Sequence, residues 1–292
     1  GRGGGRTRGI CGRLDAMNNT PRVAALQMNS GTDVAQNLET SGRLLTEAAG
    51  QGACLAALPE NFAFMGARER DKLAHAEKFG GGPIQDFLSQ TARKLNIWIV
   101  AGSVPIAVDD DPERVWAACL VFDGQGDCVA RYDKIHLFDV EVDSADGPLQ
   151  YRESKNIAAA PWQAVTVDTP AGKLGLSVCY DVRFPELYRA LAAQGAELLC
   201  VPAAFTANTG AAHWEVLLRA RAIENQCFVI APGQVGTQPG GRKTWGHSML
   251  VDAWGKVLAC EAEGECAVVA ELNRHKQQEL RRTFPVLHHR KA

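Results

Sequence analysis

The chain has 292 residues, of which 46% are hydrophobic and 22% charged, and its formal net charge is −2. Such a composition can bury a sizeable core and excludes wholesale disorder. The near-neutral balance argues against a nucleic-acid partner, and no apolar run approaches the roughly 20 residues that a membrane helix needs.

Residues 1–16 (GRGGGRTRGICGRLDA) are rich in Gly and Arg and lack the apolar stretch of a secretory signal. They are expected to be an extension outside the fold, either an upstream translated stretch or an expression remnant, with Met17 just before the first strand. From there strand and helix patterns alternate. RVAALQM (22–28) reads as a strand. Residues 33–49 read as a helix with Val34, Leu38, Leu45, Ala48 and Ala49 near one face. ACLAALP (53–59) is a buried strand. A helix over 84–95 rests on Ile84, Phe87, Leu88, Ala92 and Leu95, and NIWIVAGSV (96–104) is another buried strand. WAACLVFD, a GQG turn and DCVARYDK make a hairpin.

KLGLSVC (173–179) is a strand, and PELYRALAAQ (185–194) a helix with Pro185 near its first turn. ELLCVPAAF (197–205) is a strand, HWEVLLRARAIENQ (213–226) a helix and CFVIAPGQV (227–235) a strand. A second hairpin runs through GHSMLVDAWGKVLACEA (246–262). Residues 234–245 are flexible by composition and able to border a site. The basic end, 281–292, reads as a solvated or partner-packing arm. Phe122-Asp123-x-x-Gly126 and Val251-Asp252-x-x-Gly255 share a strand–turn–strand layout. This predicts an internal duplication, two α/β halves with a hairpin in each. No stretch resembles an interdomain linker, so one domain over about 20–290 is expected.

The nine cysteines are odd in number and include no C-x-x-C, so neither a disulfide framework nor a zinc site is expected. Most are expected to be small buried hydrophobes in a reducing cytosol. No metal cluster or phosphate loop is present in the sequence: Gly80, Gly81 and Gly82 lack a following Lys-Ser/Thr and read as a turn.

Cys179 stands apart from the other eight. It ends an apolar strand and precedes a turn into a helix, an elbow that exposes a nucleophile and favours its thiolate. Glu60 ends the apolar run ACLAALP, and Lys134 ends the second strand of the first hairpin. Base, cation and nucleophile thus each lie at a strand end, where α/β proteins place their sites.

Leu58-Pro59-Glu60, RYDKIHL (131–137) and VCYDVRFPE (178–186) resemble the three signature blocks of the nitrilase, or carbon–nitrogen hydrolase, superfamily. The likeness runs in order from about residue 22 to 290. It implies a four-layer α-β-β-α sandwich of two similar halves and a homodimer or larger homo-oligomer. It also implies that Cys179 attacks an amide carbonyl as a thiolate while Glu60 takes its proton and later activates water. Desolvation is expected to lift the Glu60 pKa toward working pH. Lys134 and the backbone N–H of Tyr180 would stabilise the oxyanion.

A second glutamate, which in many members orients the substrate amide and the lysine, is matched by Glu153, with Glu141 as the alternative. Arg183 lies at the offset where related carbamoylases hold a substrate carboxylate; a structural salt bridge is its other reading. His213, Trp214 and Glu215 open a helix that the family packs near the site and across a dimer interface. Arg219 and Arg221 are read as interface or scaffold, and His247 as a satisfied structural histidine.

CYDVRFPEL, GAELLCVPAAF, TGAAHWEVLLRARAIENQCFV and WGHSMLVDAWG are most similar to the deaminated glutathione amidase branch, whereas APGQVGTQPGGRKTWGHS departs from it. The branch implies a cytoplasmic amidase that yields 2-oxoglutarate and cysteinylglycine through a cysteine thioester. Its substrate would be a small-molecule amide, and it would need no cofactor, metal, nucleic acid or membrane. An ω-amidase acting on 2-oxoglutaramate, a non-catalytic scaffold of the same fold and a thiol oxidoreductase remain alternatives.

Overall fold

The computed structural model describes residues 20–142 and 147–291; the 1–16 extension lies outside them. The first half runs β1 (Arg22–Gln27), α1 (Val34–Gly50), β2 (Ala53–Ala57), α2 (Pro83–Leu95), β3 (Trp98–Val100), β4 (Val104–Val108), β5 (Asp111–Phe122) and β6 (Cys128–Asp133). A small hairpin follows, β7 (Asp139–Val142) and β8 (Leu149–Arg152). The second half runs β9 (Thr166–Thr169), β10 (Gly172–Leu176), α3 (Pro185–Ala193), β11 (Leu198–Cys200), α4 (Ala207–Asn225) and β12 (Phe228–Ala231). It continues through β13 (Val235–Thr237), β14 (Lys243–Trp245), β15 (Ser248–Val251) and β16 (Val257–Glu261). The chain closes with β17 (Cys266–Glu271) and α5 (Arg274–Thr283).

The alternation of side chains along β1 explains the layering. Ala24 and Leu26 pack with Leu44, Leu45 and Leu88 of the helices α1 and α2. Val23 and Ala25 point the other way, into a core with Leu174, Leu176 and Leu198 of the second sheet. A strand buried on both faces reads as a continuous apolar run, as RVAALQ does. The first sheet has the order β17-β1-β2-β3-β5-β4, with β6 also on β5; the second is β16-β15-β12-β11-β10-β9. Helices α3 and α4 contribute Leu187, Leu191, Trp214 and Leu218 to the same core as the second sheet. The result is the expected α-β-β-α sandwich.

The two halves repeat each other. β1, β2 and β3 are parallel and lead into the antiparallel β5–β6; β10, β11 and β12 are parallel and lead into the antiparallel β15–β16. Each half also carries an antiparallel flanking strand, β17 on β1 and β9 on β10. The hairpin turns match bond for bond. Asp123 Oδ1 accepts the N–H groups of Gln125 and Asp127, and Asp252 Oδ1 those of Trp254 and Lys256. Gly126 and Gly255 occupy the left-handed position at φ 85° and 87°, which a side chain rarely adopts.

Several elements depart from the sequence expectation. Helix α4 starts at Ala207, not at 213, because ANTGAA carries no apolar period. Its Gly210 fits against the Trp245 ring so closely that a Cβ would overlap it. The 234–245 stretch is ordered into the β13–β14 hairpin. The C-terminal end is not a solvated arm throughout: Arg281 donates to the carbonyls of Gln226 and Ala196. Of the cysteines, Cys119, Cys200 and Cys227 are buried, but Cys128 and Cys260 are exposed.

Candidate active site

The strand ends of both halves meet at one pocket. After β2 the chain stays extended through Leu58, whose N–H bonds the Val100 carbonyl, and delivers Glu60 beneath the surface at 5% exposure. Glu60 Oε2 accepts the Ala204 N–H at 2.9 Å, and its backbone carbonyl accepts Gln234 Nε2 at 3.1 Å. Glu60 is thereby fixed from the second half of the molecule.

Lys134 follows β6, with its N–H on the Ala117 carbonyl and its side chain 1% exposed. Its Nζ donates to Glu60 Oε1 at 2.9 Å and to Glu153 Oε1 and Oε2 at 2.8 and 3.0 Å. Glu153 begins the turn after β8 and also accepts the Phe138 N–H at 2.7 Å. Glu141 sits on the β7–β8 hairpin and accepts Gln150 Nε2 instead. The structure therefore brings Glu153, not Glu141, to the lysine.

Cys179 has φ 46°, a left-handed conformation that costs energy in a residue with a Cβ. Its surroundings hold it there. Its N–H bonds the Pro202 carbonyl at 2.8 Å. Two residues on, the fully buried Asp181 carboxylate accepts the Val178 N–H, the Tyr132 hydroxyl and both the N–H and Nδ1 of His136. The His136 ring stacks on Phe184 at 3.7 Å. Asp181 was not singled out in the sequence, where it reads as one more turn aspartate.

Electrostatics assign the resting protonation. Burial pushes the Glu60 pKa up, but the Lys134 charge and hydrogen bonds from Lys134, Cys179 and the Ala204 N–H bring it below the ordinary value. This corrects the expectation that desolvation lifts Glu60 toward working pH. Burial and the neighbouring Glu60 charge raise the Cys179 thiol well above its usual range, so the resting pair is carboxylate and thiol, not the thiolate expected from the elbow. Burial lowers the Lys134 pKa, yet Glu153 and Glu60 outweigh it and keep the ammonium charged.

These groups line a pocket of about 510 Å³ together with Tyr180, Arg183, Phe205, Thr209, Tyr151 and Arg242. Arg183 lies with its guanidinium 5.1 Å from the Phe205 ring centre and its NH1 3.2 Å from His213 Nδ1. Among the described residues no carboxylate forms an ion pair with it, and His213 is its hydrogen-bond neighbour. Arg221 and Arg219 are scaffold: they donate to the carbonyls of Val182 and Gly255. His247 bonds the Trp245 carbonyl and stacks on its ring, as expected of a structural histidine.

Arg242 and Glu69 escaped the sequence reading. Arg242 lies in the stretch flagged only by composition, and Glu69 in a polar run with no apolar period. The described residues hold no cluster of three or more His, Cys, Asp or Glu placed to bind a metal ion, and none of their helices is long and apolar enough to cross a membrane.

A half-buried thiol in one pocket with a carboxylate and a lysine held by two glutamates is equipped to open an amide through a covalent intermediate. A family model for carbon–nitrogen hydrolases matches residues 22–282, and the chain belongs to that family. It is a hydrolase of carbon–nitrogen bonds other than peptide bonds. It is similar to the deaminated glutathione amidase of Yersinia enterocolitica, 44% identical over 268 residues that cover 91% of this chain and 92% of that one. The human deaminated glutathione amidase is 43% identical over 273 residues, 93% of this chain and 82% of that one. Among solved structures, the Caenorhabditis elegans NitFhit protein matches with a TM-score of 0.86 and 39% identity over 93% of this chain. This chain spans 65% of that longer one.

Proposed function

We propose that the enzyme hydrolyses deaminated glutathione to 2-oxoglutarate and cysteinylglycine. The observation that carries the reading is the Lys134 ammonium held between Glu60 and Glu153 in the pocket that Cys179 also lines. The name that these two relatives share supports the choice of amide.

In the proposed mechanism the Cys179 proton passes to Glu60 as Sγ attacks the amide carbon. Lys134 and the Tyr180 N–H stabilise the oxyanion in a site that excludes bulk water. Collapse breaks the C–N bond, Glu60 gives its proton to the departing amine, and a thioester remains. Glu60 then takes a proton from water, which attacks the thioester carbon. The second collapse releases the 2-oxo acid and returns the proton to sulfur. Glu153 keeps Lys134 in place throughout, and Arg183 pairs with the carboxylate beside the ketone.

The enzyme is further read as a cytoplasmic homo-oligomer acting on a small-molecule amide. Val216 and Ile223 of α4 and the nearby Trp254 are exposed apolar side chains that support docking of a second copy. Competitive assays of deaminated glutathione, 2-oxoglutaramate and glutathione test the reading. Deaminated glutathione should react fastest and glutathione barely at all. A clear preference for 2-oxoglutaramate overturns the substrate assignment.

A further inference from the structure

The pocket contains a second guanidinium that this mechanism leaves without work. Arg242 closes the β13–β14 hairpin and reaches into the pocket over the Tyr151 ring, 5.3 Å from its centre. Its NH2 donates to the Ala204 carbonyl at 3.2 Å, and its NH1 to Glu69 Oε1 at 3.3 Å. Its buried Nε has no hydrogen-bond partner among the described residues.

Glu69 does not cancel the charge of Arg242. The same carboxylate binds Lys72 more closely, at 2.8 Å. Two cations thus share one anion, and the trio keeps an excess positive charge at the pocket wall. A guanidinium with an unpartnered N–H and uncompensated charge is suited to a carboxylate, which it can bind in a fork.

The position of Arg242 says which carboxylate. Arg183 lies in the turn that begins with the nucleophile, four residues after Cys179. Arg242 is anchored on the carbonyl of Ala204, the residue whose N–H holds Glu60. Glu60 must lie beside the nitrogen of the departing amine to protonate it, so the Ala204 side of the pocket is the leaving-group side.

We infer that Arg242 binds the terminal carboxylate of the departing peptide, making the pocket a two-anion site with Arg183 at the acyl end. The inference rests on the functional reading above and specifies how the leaving group is recognised.

The test holds the 2-oxoglutaryl group constant and varies the amine: cysteinylglycine, its C-terminal carboxamide, and ammonia. Wild type should prefer the free acid to its carboxamide by about 10- to 100-fold in kcat/KM, the range of one charge-assisted hydrogen bond. Arg242→Gln should collapse that ratio toward one, mainly through KM for the acid, and lose less on the ammonia amide. Arg242→Lys should restore part of the ratio. Equal preference for acid and carboxamide by wild type overturns the inference while leaving the functional reading intact, as does an unchanged ratio in Arg242→Gln. Failure of wild type to hydrolyse the cysteinylglycine amide overturns the functional reading itself, and the inference with it.

Discussion

Glu153→Gln is the sharpest probe of the charged core of the site. Glu153 holds Lys134 with both oxygens, at 2.8 and 3.0 Å, and also takes the Phe138 N–H. At an effective dielectric of about 20, unit charges that close attract by roughly 6 kcal/mol before desolvation is counted. Desolvation of both groups offsets most of this, and a net value of about 2 kcal/mol is usual for a charge-assisted bond. Glutamine preserves the shape but turns one acceptor into a donor, which must face either Nζ or the Phe138 N–H. Lys134 then leans on Glu60 alone, tying up the base and shifting the oxyanion donor. The expected result is a fall in kcat of about 30-fold, with KM changed less. Steady-state kinetics beside Glu141→Gln, with melting curves for both, make the comparison. The Glu141 variant should match wild type. A Glu153 variant within threefold of wild-type kcat, or an equal loss in the Glu141 variant, would refute the reasoning.

The other predictions concern the nucleophile, its support and acid stability. Cys179→Ala should lower turnover by about 10³-fold or more while the fold survives, and Glu60→Gln should do likewise. Mass spectrometry of a trapped acyl-enzyme should place the adduct on Cys179, and an adduct on Cys54 or Cys200 would contradict this. Asp181→Asn leaves at least one of four buried donations facing an amide N–H, so about 3 kcal/mol of stability and roughly 5 °C of Tm should be lost. An unchanged melting curve would count against the role given to Asp181. The charges of Lys72 and Arg242 hold the Glu69 pKa at about 2 against a usual 4.5, despite burial. A depressed carboxylate stabilises the fold above its unfolded pKa and loses that contribution as pH falls through the folded one. Glu69→Gln should therefore flatten the acid loss of stability between pH 4.5 and 2, and identical acid titrations would exclude the effect.

The sequence made the strand ends legible because their strands are apolar on both faces and their polar residues stand out. Glu60 and Cys179 were visible for that reason, whereas Lys134, after the half-exposed β6, and Glu153 were visible through the pattern around them. What escaped was held by contacts distant in sequence. Arg242 reaches the pocket through a hairpin whose Gly-rich composition reads as a loop. The β7–β8 hairpin carries few apolar residues to set a period. The β17 strand, CAVVAE, lies beyond the last hairpin turn and gains its meaning from β1 at the far end of the chain. Protonation is hidden for a related reason: position at a strand end shows neither the Lys134 charge 2.9 Å from Glu60 nor the Ala204 N–H donated from the opposite half, which hold its carboxyl below the ordinary value against burial.

The pairing of β17 with β1 also bears on how the chain is made. Arg22 and Glu271 are partners 249 residues apart. While the ribosome works from the N-terminus, β1 can gain β2 early, but its other edge stays bare until β17, 249 residues further on, has been made. Such long-range closure slows folding, and a bare edge invites pairing with other chains in the meantime. Nascent chains stopped before residue 266 should accordingly depend on chaperones far more than chains extended past β17 do, even though every residue that lines the pocket has by then been translated.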